Sequence, residues 1–362
     1  MDYERIPTEN PIRDIWNRFE LLTSLSGANI YLKRKAEKAG IRLKEELLDE
    51  KARGIAFCIR SANDYFRVPI EGNLTSASLA FYYGTFSLLQ ALLLAEISNE
   101  ITLTEIESYT FFGHGLGSIF DPGKQFPKSE YLFILSDGFF ANYLGQFKFK
   151  ISELAVSKKY RKTNEVQKED EHKLMTVKDL VSRIPELKGM YLEIFKEHPN
   201  YLTYDYPTNP EIKEYEIKFR TDYYNSPYLT EKQIYEILNW PQTIKIEKAE
   251  EENKKIFKTV DKIDRDLVDK LKMYRSIAAL DCCVKPLLGI DDVLCFDFMF
   301  LYLLSIWVRY RPELWREIIE GKYDIFKPLL SNFLIVVQRV VPNIVLERLY
   351  NKRMLFAGYS YW

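Results

Sequence analysis

In the stretch FFGHGLGS, residues 111–118, a histidine stands between two glycines. His114 is one of three histidines in 362 residues, and imidazole is the side chain that most readily gains or loses a proton near neutral pH. Gly113 and Gly115 permit backbone angles that a Cβ resists, which predicts a tight turn. Two readings stay open: an imidazole offered to a ligand, or one that ties the turn to a backbone carbonyl or a tyrosine.

The other residues that could do chemistry form few recognisable sets. No G-x-S-x-G elbow is present, and the cysteines, Cys58, Cys282, Cys283 and Cys295, lie in apolar surroundings without metal-ligand spacing. They read as free core thiols of a reducing compartment. The remaining histidines, His172 in a charged loop and His198 before a proline, read as surface residues. GHGLG lacks the G-K-[ST] ending of a phosphate loop and the downstream acid of a dinucleotide fingerprint. One nuclease-like handle exists: Asp205 followed by Glu216-Ile217-Lys218 could hold magnesium beside a lysine, though a charged, solvated strand edge gives the same pattern. The sequence therefore implies no cofactor and no metal, and does not decide whether the protein is an enzyme.

Cationic groups offer another chemistry. Arg309 and Arg311 follow an apolar segment and could hold phosphate. Lys158, Lys159, Tyr160, Arg161 and Lys162 interleave charge with a ring, as nucleic-acid contacts do, but acids follow closely and a solvated face explains them as well. Net charge is −1, so no global field draws the chain to nucleic acid or an anionic membrane.

The elements that must position these groups are mainly helical. Apolar residues make up 47% and charged residues 28%, the balance of a globular chain with a substantial core. TSASLAFYYGTFSLLQALLLAE, residues 75–96, is apolar almost all round and predicts a central helix. Along it Ala77, Ala80, Gly84, Ser87 and Ala91 form a stripe where another backbone can approach. Asp137-Gly138 between two apolar runs predicts a β-hairpin near 131–144. Residues 157–173 have almost nothing to bury and read as a mobile loop. Residues 214–219 and 243–248 alternate like strands around a helix that begins near Thr230. Ile256, Val260, Ile263, Leu267 and Leu271 keep a 3–4 spacing that predicts one long, charged helix over 249–275, and further helices are expected at 276–288, 292–309, 312–320 and 324–350.

The expected architecture is mainly α. A helical N-terminal part (1–155) and a helical C-terminal part (256–362) share a bundle core, and 156–255 forms a small mixed α/β insertion. Trp307, Tyr310, Trp315, Phe326 and Phe333 are expected in that core. The charged N-terminus is no signal peptide, and the apolar run 293–308, broken by Asp297, falls short of about 20 residues for a bilayer. A cytoplasmic protein without membrane contact is expected.

Three stretches carry a resemblance: FYYGTFSLLQALLLA (81–95) with the His-Gly turn, LYLLSIWVRYRPELWREII (301–319), and PLLSNFLIVVQRVVPNIVLERLY (328–350). With MTVKDLVSRIPEL (175–187) they resemble the YaaC-like family of bacterial proteins, which implies an architecture without an established reaction. More loosely, tyrosines and small residues on a helix before a His-Gly turn are similar to HEPN-type helical domains, common among prokaryotic toxins and antiviral effectors. Many of those are ribonucleases with an R-x(4–6)-H motif, but no arginine lies between Thr104 and Gly113. The resemblance thus implies an effector or accessory protein, in antiphage defence, that binds RNA or a nucleotide. Its ligand-binding residues would be Tyr82, Tyr83, His114, Arg309 and Arg311. The alternative is a non-catalytic helical scaffold that binds a protein partner or forms a homo-oligomer.

Overall fold

The computed structural model describes residues 2–111, 113–205, 209, 211–221, 225–251, 253–276, 279 and 281–358. Two compact units divide the chain: Met1–Val177 with Asp297–Trp362, and the intervening Lys178–Phe296. The first is built on helices and the second mixes short strands with short helices, so the chain as a whole is mainly α.

At the centre of the first unit runs the helix Leu74–Ala95, with Asn73 as its N-cap. It is apolar all round because it is covered on most sides, by the helices Glu45–Phe66 and Lys327–Tyr350 above all. At Gly84 of the small-residue stripe the close neighbour is an aromatic side chain rather than the expected backbone. A Cβ on Gly84 would come within 2.8 Å of the Phe66 ring, so the 45–66 helix packs where a larger side chain would separate the two. The central helix ends against Lys51, a fully buried lysine whose Nζ donates to the Glu96 carbonyl at 3.0 Å and to Asn99 Oδ1 at 2.9 Å. That ammonium satisfies carbonyls left free at a helix end. Burial lowers its pKa to about 8.

Among the described residues three helices (Leu74–Ala95, Val293–Tyr310 and, with its leading turn, Asp324–Tyr350) are long and apolar enough to cross a membrane by length and composition. The run at 293–308 is thus not too short by that measure. What occupies its apolar surface is protein, because 78% of its most apolar window is buried. Tyr310, expected in the core, stands 65% exposed at the end of this helix, whereas Trp307, Trp315, Phe326 and Phe333 are buried.

Several expected elements are corrected. Asp137-Gly138 does not turn a hairpin. The strand Glu130–Leu135 ends before it, and Phe139–Gln146 is a helix with Gly138 as N-cap. Phe139, Phe140, Tyr143 and Leu144 recur at helical spacing, and their burial outweighs the turn signal. The hairpin lies earlier, with Leu116–Phe120 antiparallel to Glu130–Leu135 in the register Leu116↔Ile134.

Residues 249–275 are not one helix. Ile246–Glu251 and Lys254–Thr259 pair as an antiparallel hairpin, with Asn253 at positive φ in the turn. Across it Glu247 faces Lys258, Glu250 faces Lys255 and Glu251 faces Lys254, so the blocks of like charge are complementary strands. The helical stripe was coincidental: Val260, one of its members, is exposed. Likewise the expected helix 276–288, of which 277, 278 and 280 lie outside the described residues, holds the strand Cys282–Val284. The unit boundaries move accordingly. Residues 156–177 belong with the helical unit and 256–296 with the mixed one, where Phe219, Ile234, Trp240 and Phe257 share a core.

The segment 157–173 is docked. Tyr160 is 2% exposed and packs with Ile119, Phe133 and Val156. Its hydroxyl donates to Asp170 at 2.6 Å, and Asp170 in turn holds Lys173 at 3.0 Å. A single aromatic anchor and one buried carboxylate suffice to pin an otherwise polar segment. Replacing 157–173 by a short Gly/Ser linker is therefore expected to lower the melting temperature by roughly 5–10 °C, the effect of losing about 3 kcal/mol of buried aromatic packing. A thermal melt that does not move would show the anchoring to be negligible.

Candidate functional site

The Gly-His-Gly turn owes its shape to backbone contacts. Gly113 and Gly115 take φ of +99° and +77°. The Gly113 and His114 carbonyls accept the first free N–H groups of the 139–146 helix, from Phe139 at 3.3 Å and Phe140 at 3.0 Å. A Cβ on Gly115 would lie 2.7 Å from the Phe140 nitrogen. The glycines thus serve a close backbone approach that caps a helix.

Among the described residues the imidazole of His114 makes no hydrogen bond that would tie this turn down. It stands half-buried and edge-on to two rings of the central helix, Tyr82 at 5.5 Å and Phe86 at 5.3 Å between centroids. Its Nδ1 is buried with no hydrogen-bond partner among the described residues. Burial, and then the positive charge of Arg309, hold its pKa below the usual value, so the ring is neutral at pH 7. Tyr82 is also fully buried with an unpartnered hydroxyl, and burial keeps that hydroxyl protonated.

Arg309 lies beside this pair, held in a fixed pose. Its Nε donates to the Ser305 carbonyl (3.0 Å), Nη2 to Ser305 Oγ (3.1 Å) and Nη1 to Tyr83 Oη (3.2 Å). The guanidinium also sits 5.1 Å from the Tyr310 ring centre, and Tyr83 lies 5.8 Å from Tyr65. Tyr65, Tyr83, Arg309 and Tyr310 therefore form a row of rings around one cation, exposed at both ends, with Tyr82 and His114 beneath. Phe111, three residues before the histidine, is 87% exposed.

Tyr82, Tyr83, His114 and Arg309 are thus brought together. Arg311 is not. It is the N-cap residue of the next helix, Pro312–Ile319, and pairs with Glu313 (2.6 Å) and Glu130 (3.5 Å) over the Phe120 ring. Of the basic stretch, Lys158, Lys159, Arg161 and Lys162 are exposed, but Tyr160 is buried and offers no ring to a base. Ser305 and Tyr65 complete the cluster without having been singled out. Ser305 was legible as the i−4 neighbour of Arg309, whereas Tyr65 depends on how two helices pack.

The nuclease-like handle dissolves into ion pairs of the second unit: Asp205 with Arg220 (3.2 Å), Glu216 with Lys258 (3.0 Å) and Lys218 with Glu251 (2.7 Å). His198, expected on the surface, is 3% exposed. Its Nδ1 lies 2.9 Å from Ser226 Oγ and its Nε2 2.9 Å from the Tyr201 carbonyl.

A family model described as YaaC-like Protein matches residues 20–349. The chain belongs to the YaaC-like family. That match takes in the central helix, the Gly-His-Gly turn and the Ser305–Arg309 turn of the YaaC-like chain, and it says nothing of HEPN-type domains. No curated protein and no solved structure gives a match.

Proposed function

We propose that the YaaC-like chain binds RNA or a nucleotide on the Tyr65–Tyr83–Arg309–Tyr310 row, with His114 reading the ligand from below. The observation that carries this is the pose of Arg309. Its guanidinium is fixed by Ser305 and Tyr83 and flanked by rings exposed to solvent, while a buried imidazole nitrogen nearby has no partner among the described residues. Rings that stack on bases contribute about 1–3 kcal/mol each, and an oriented guanidinium suits phosphate. Binding fits better than cleavage. His114 has neither an R-x(4–6)-H arginine before it nor an acid to raise its basicity. In this reading RNA is the polymer and an effector or accessory role in antiphage defence the setting, as the looser sequence resemblance to HEPN-type domains implies. A scaffold that binds a protein partner or a second copy is the other reading, favoured by the exposed Ile325 and Ile335.

Fluorescence polarisation with a labelled single-stranded RNA and with nucleotides tests the reading. Arg309→Gln is expected to weaken binding by about tenfold or more and to reduce the salt slope by about one. His114→Ala is expected to weaken binding while unfolding free energy falls by only about 1 kcal/mol, since no hydrogen bond is lost. Wild-type protein that binds neither probe, or binding indifferent to both substitutions, would refute the proposal.

A further inference from the structure

The residue pair Arg309 and Arg311 is split between two places, and the second is a cavity of about 680 Å³. Its walls come from the turn between Leu116–Phe120 and Glu130–Leu135 and from the helix Pro312–Ile319 with the residues that follow it. The volume is that of a small-molecule site. At one side lies Glu130, a 4% exposed carboxylate that accepts from Trp307 Nε1 at 3.1 Å and from Ser129 Oγ at 3.0 Å. Those bonds fix a buried negative charge against the ring wall of Phe126, which packs on Trp307 and Tyr323.

The chain itself displays what this surface holds. The Arg311 guanidinium lies 4.0 Å over the Phe120 ring, between Glu130 and Glu313. On another part of the wall the Lys322 ammonium lies 4.7 Å over the Tyr323 ring. Both are cations on aromatic faces, and Arg311 stands between two carboxylates as well. The lining carries acids at Asp121, Glu130, Glu313, Glu317 and Glu320 against cations at Lys124, Arg311, Arg316 and Lys322. Arg311 faces two of those acids, and Lys124 faces Asp121 at 3.4 Å. Among the described residues the Glu317 carboxylate accepts from the Lys322 backbone N–H at 3.0 Å alone, and the Glu320 carboxylate has no hydrogen-bond or ion-pair partner. Glu313, Glu317 and Glu320 follow at intervals of four and three, so one carboxylate held by a single backbone N–H and one with no partner among the described residues extend the acid side begun at Glu313.

We propose that this cavity binds a small aliphatic amine or guanidinium compound of the polyamine class. One cationic group stacks on the aromatic wall, as Arg311 does on Phe120, and another meets Glu317 and Glu320. The site is separate from the one on the central helix and does not depend on it.

Calorimetric titration of the full chain with spermidine and with agmatine at low salt tests this, with inorganic phosphate as the anionic probe. Saturable binding of the amines is expected, weakened about tenfold or more in the Glu317→Gln/Glu320→Gln variant, and none of phosphate. Should the double variant not fold, Glu320→Gln alone, at an exposed position, carries the comparison with a smaller loss in the same direction. The proposal falls if neither amine binds saturably, if the variants bind as tightly as the wild type, or if phosphate binds and the amines do not.

Discussion

Trp307→Ala is expected to lower the unfolding free energy by about 4–5 kcal/mol, near the top of the range for a core aromatic. Trp307 is among the largest side chains in the molecule that are wholly buried. It meets Phe126 edge-on at 5.4 Å and packs on Phe300, so its loss opens a cavity that aromatic neighbours cannot easily fill. The indole N–H also supplies one of the hydrogen bonds that hold the buried Glu130 carboxylate. Burial raises the pKa of Glu130 even with Arg311 and Trp307 opposing it, so removing a donor increases the penalty on the charged form. Trp307→Phe separates the two contributions. It keeps most of the ring packing and loses the N–H, and is expected to cost about 1–3 kcal/mol. Urea melts of the two variants give both numbers. A Trp307→Ala protein within about 1 kcal/mol of the wild type would contradict the view that this ring is central to the first unit's core.

How far the sequence revealed this fold depends on which force decided each element. The central helix was legible because burial on all sides leaves a continuous apolar record, and the stripe around Gly84 recorded the close neighbour. The helix at 231–238 was legible from its cap: Thr230 and Gln233 exchange both capping hydrogen bonds, a device confined to a few residues. The 246–259 hairpin was not legible by periodicity, because short strands with charged outer faces imitate a helical stripe. Its signal lay in the order of charges, acids then bases about a single Asn, which only makes sense once the strands are folded back. The polar segment at 157–173 misled for the opposite reason. Composition averages over the stretch, but Tyr160 and Asp170 alone decide that it docks.

The candidate site divides in the same way. His114, Tyr82, Tyr83 and Arg309 were legible because glycines, rings and a lone cation are rare enough to notice. Arg311 shared Arg309's signal but not its position, since the helix 293–310 ends between them and the chain changes direction. The role of the glycines was also hidden. Sequence predicted a tight turn but not its use, which is to offer its carbonyls as caps to the 139–146 helix.

The acid stability of the second unit should depend on His198. Its ring is buried between Ser226 Oγ and the Tyr201 carbonyl. Nε2–H donating to the carbonyl leaves Nδ1 to accept from the serine hydroxyl, so the neutral tautomer satisfies both partners. Protonation would place a charge where burial disfavours it and end the serine's donation to Nδ1, and the pKa falls to about 4 from an ordinary 6.5. The depressed value belongs to a base. Between pH 6.5 and 4 the unfolded chain takes up a proton that the folded chain refuses, so stability is full above pH 6.5 and declines as pH falls toward 4. The decline amounts to about 3 kcal/mol from this group alone. His198→Gln can place a donor near the Tyr201 carbonyl and an acceptor near Ser226 without titrating, so the extra slope is expected to vanish while the slope from carboxylates remains. His198→Ala is expected to lose about 2–4 kcal/mol at pH 7, from the cavity and two unpaired partners. Amide exchange in the strands Tyr201–Leu202 and Cys282–Val284, followed against pH, reads the effect where it arises. Parallel pH profiles for wild type and His198→Gln would mean that the buried imidazole is not what limits the unit in acid.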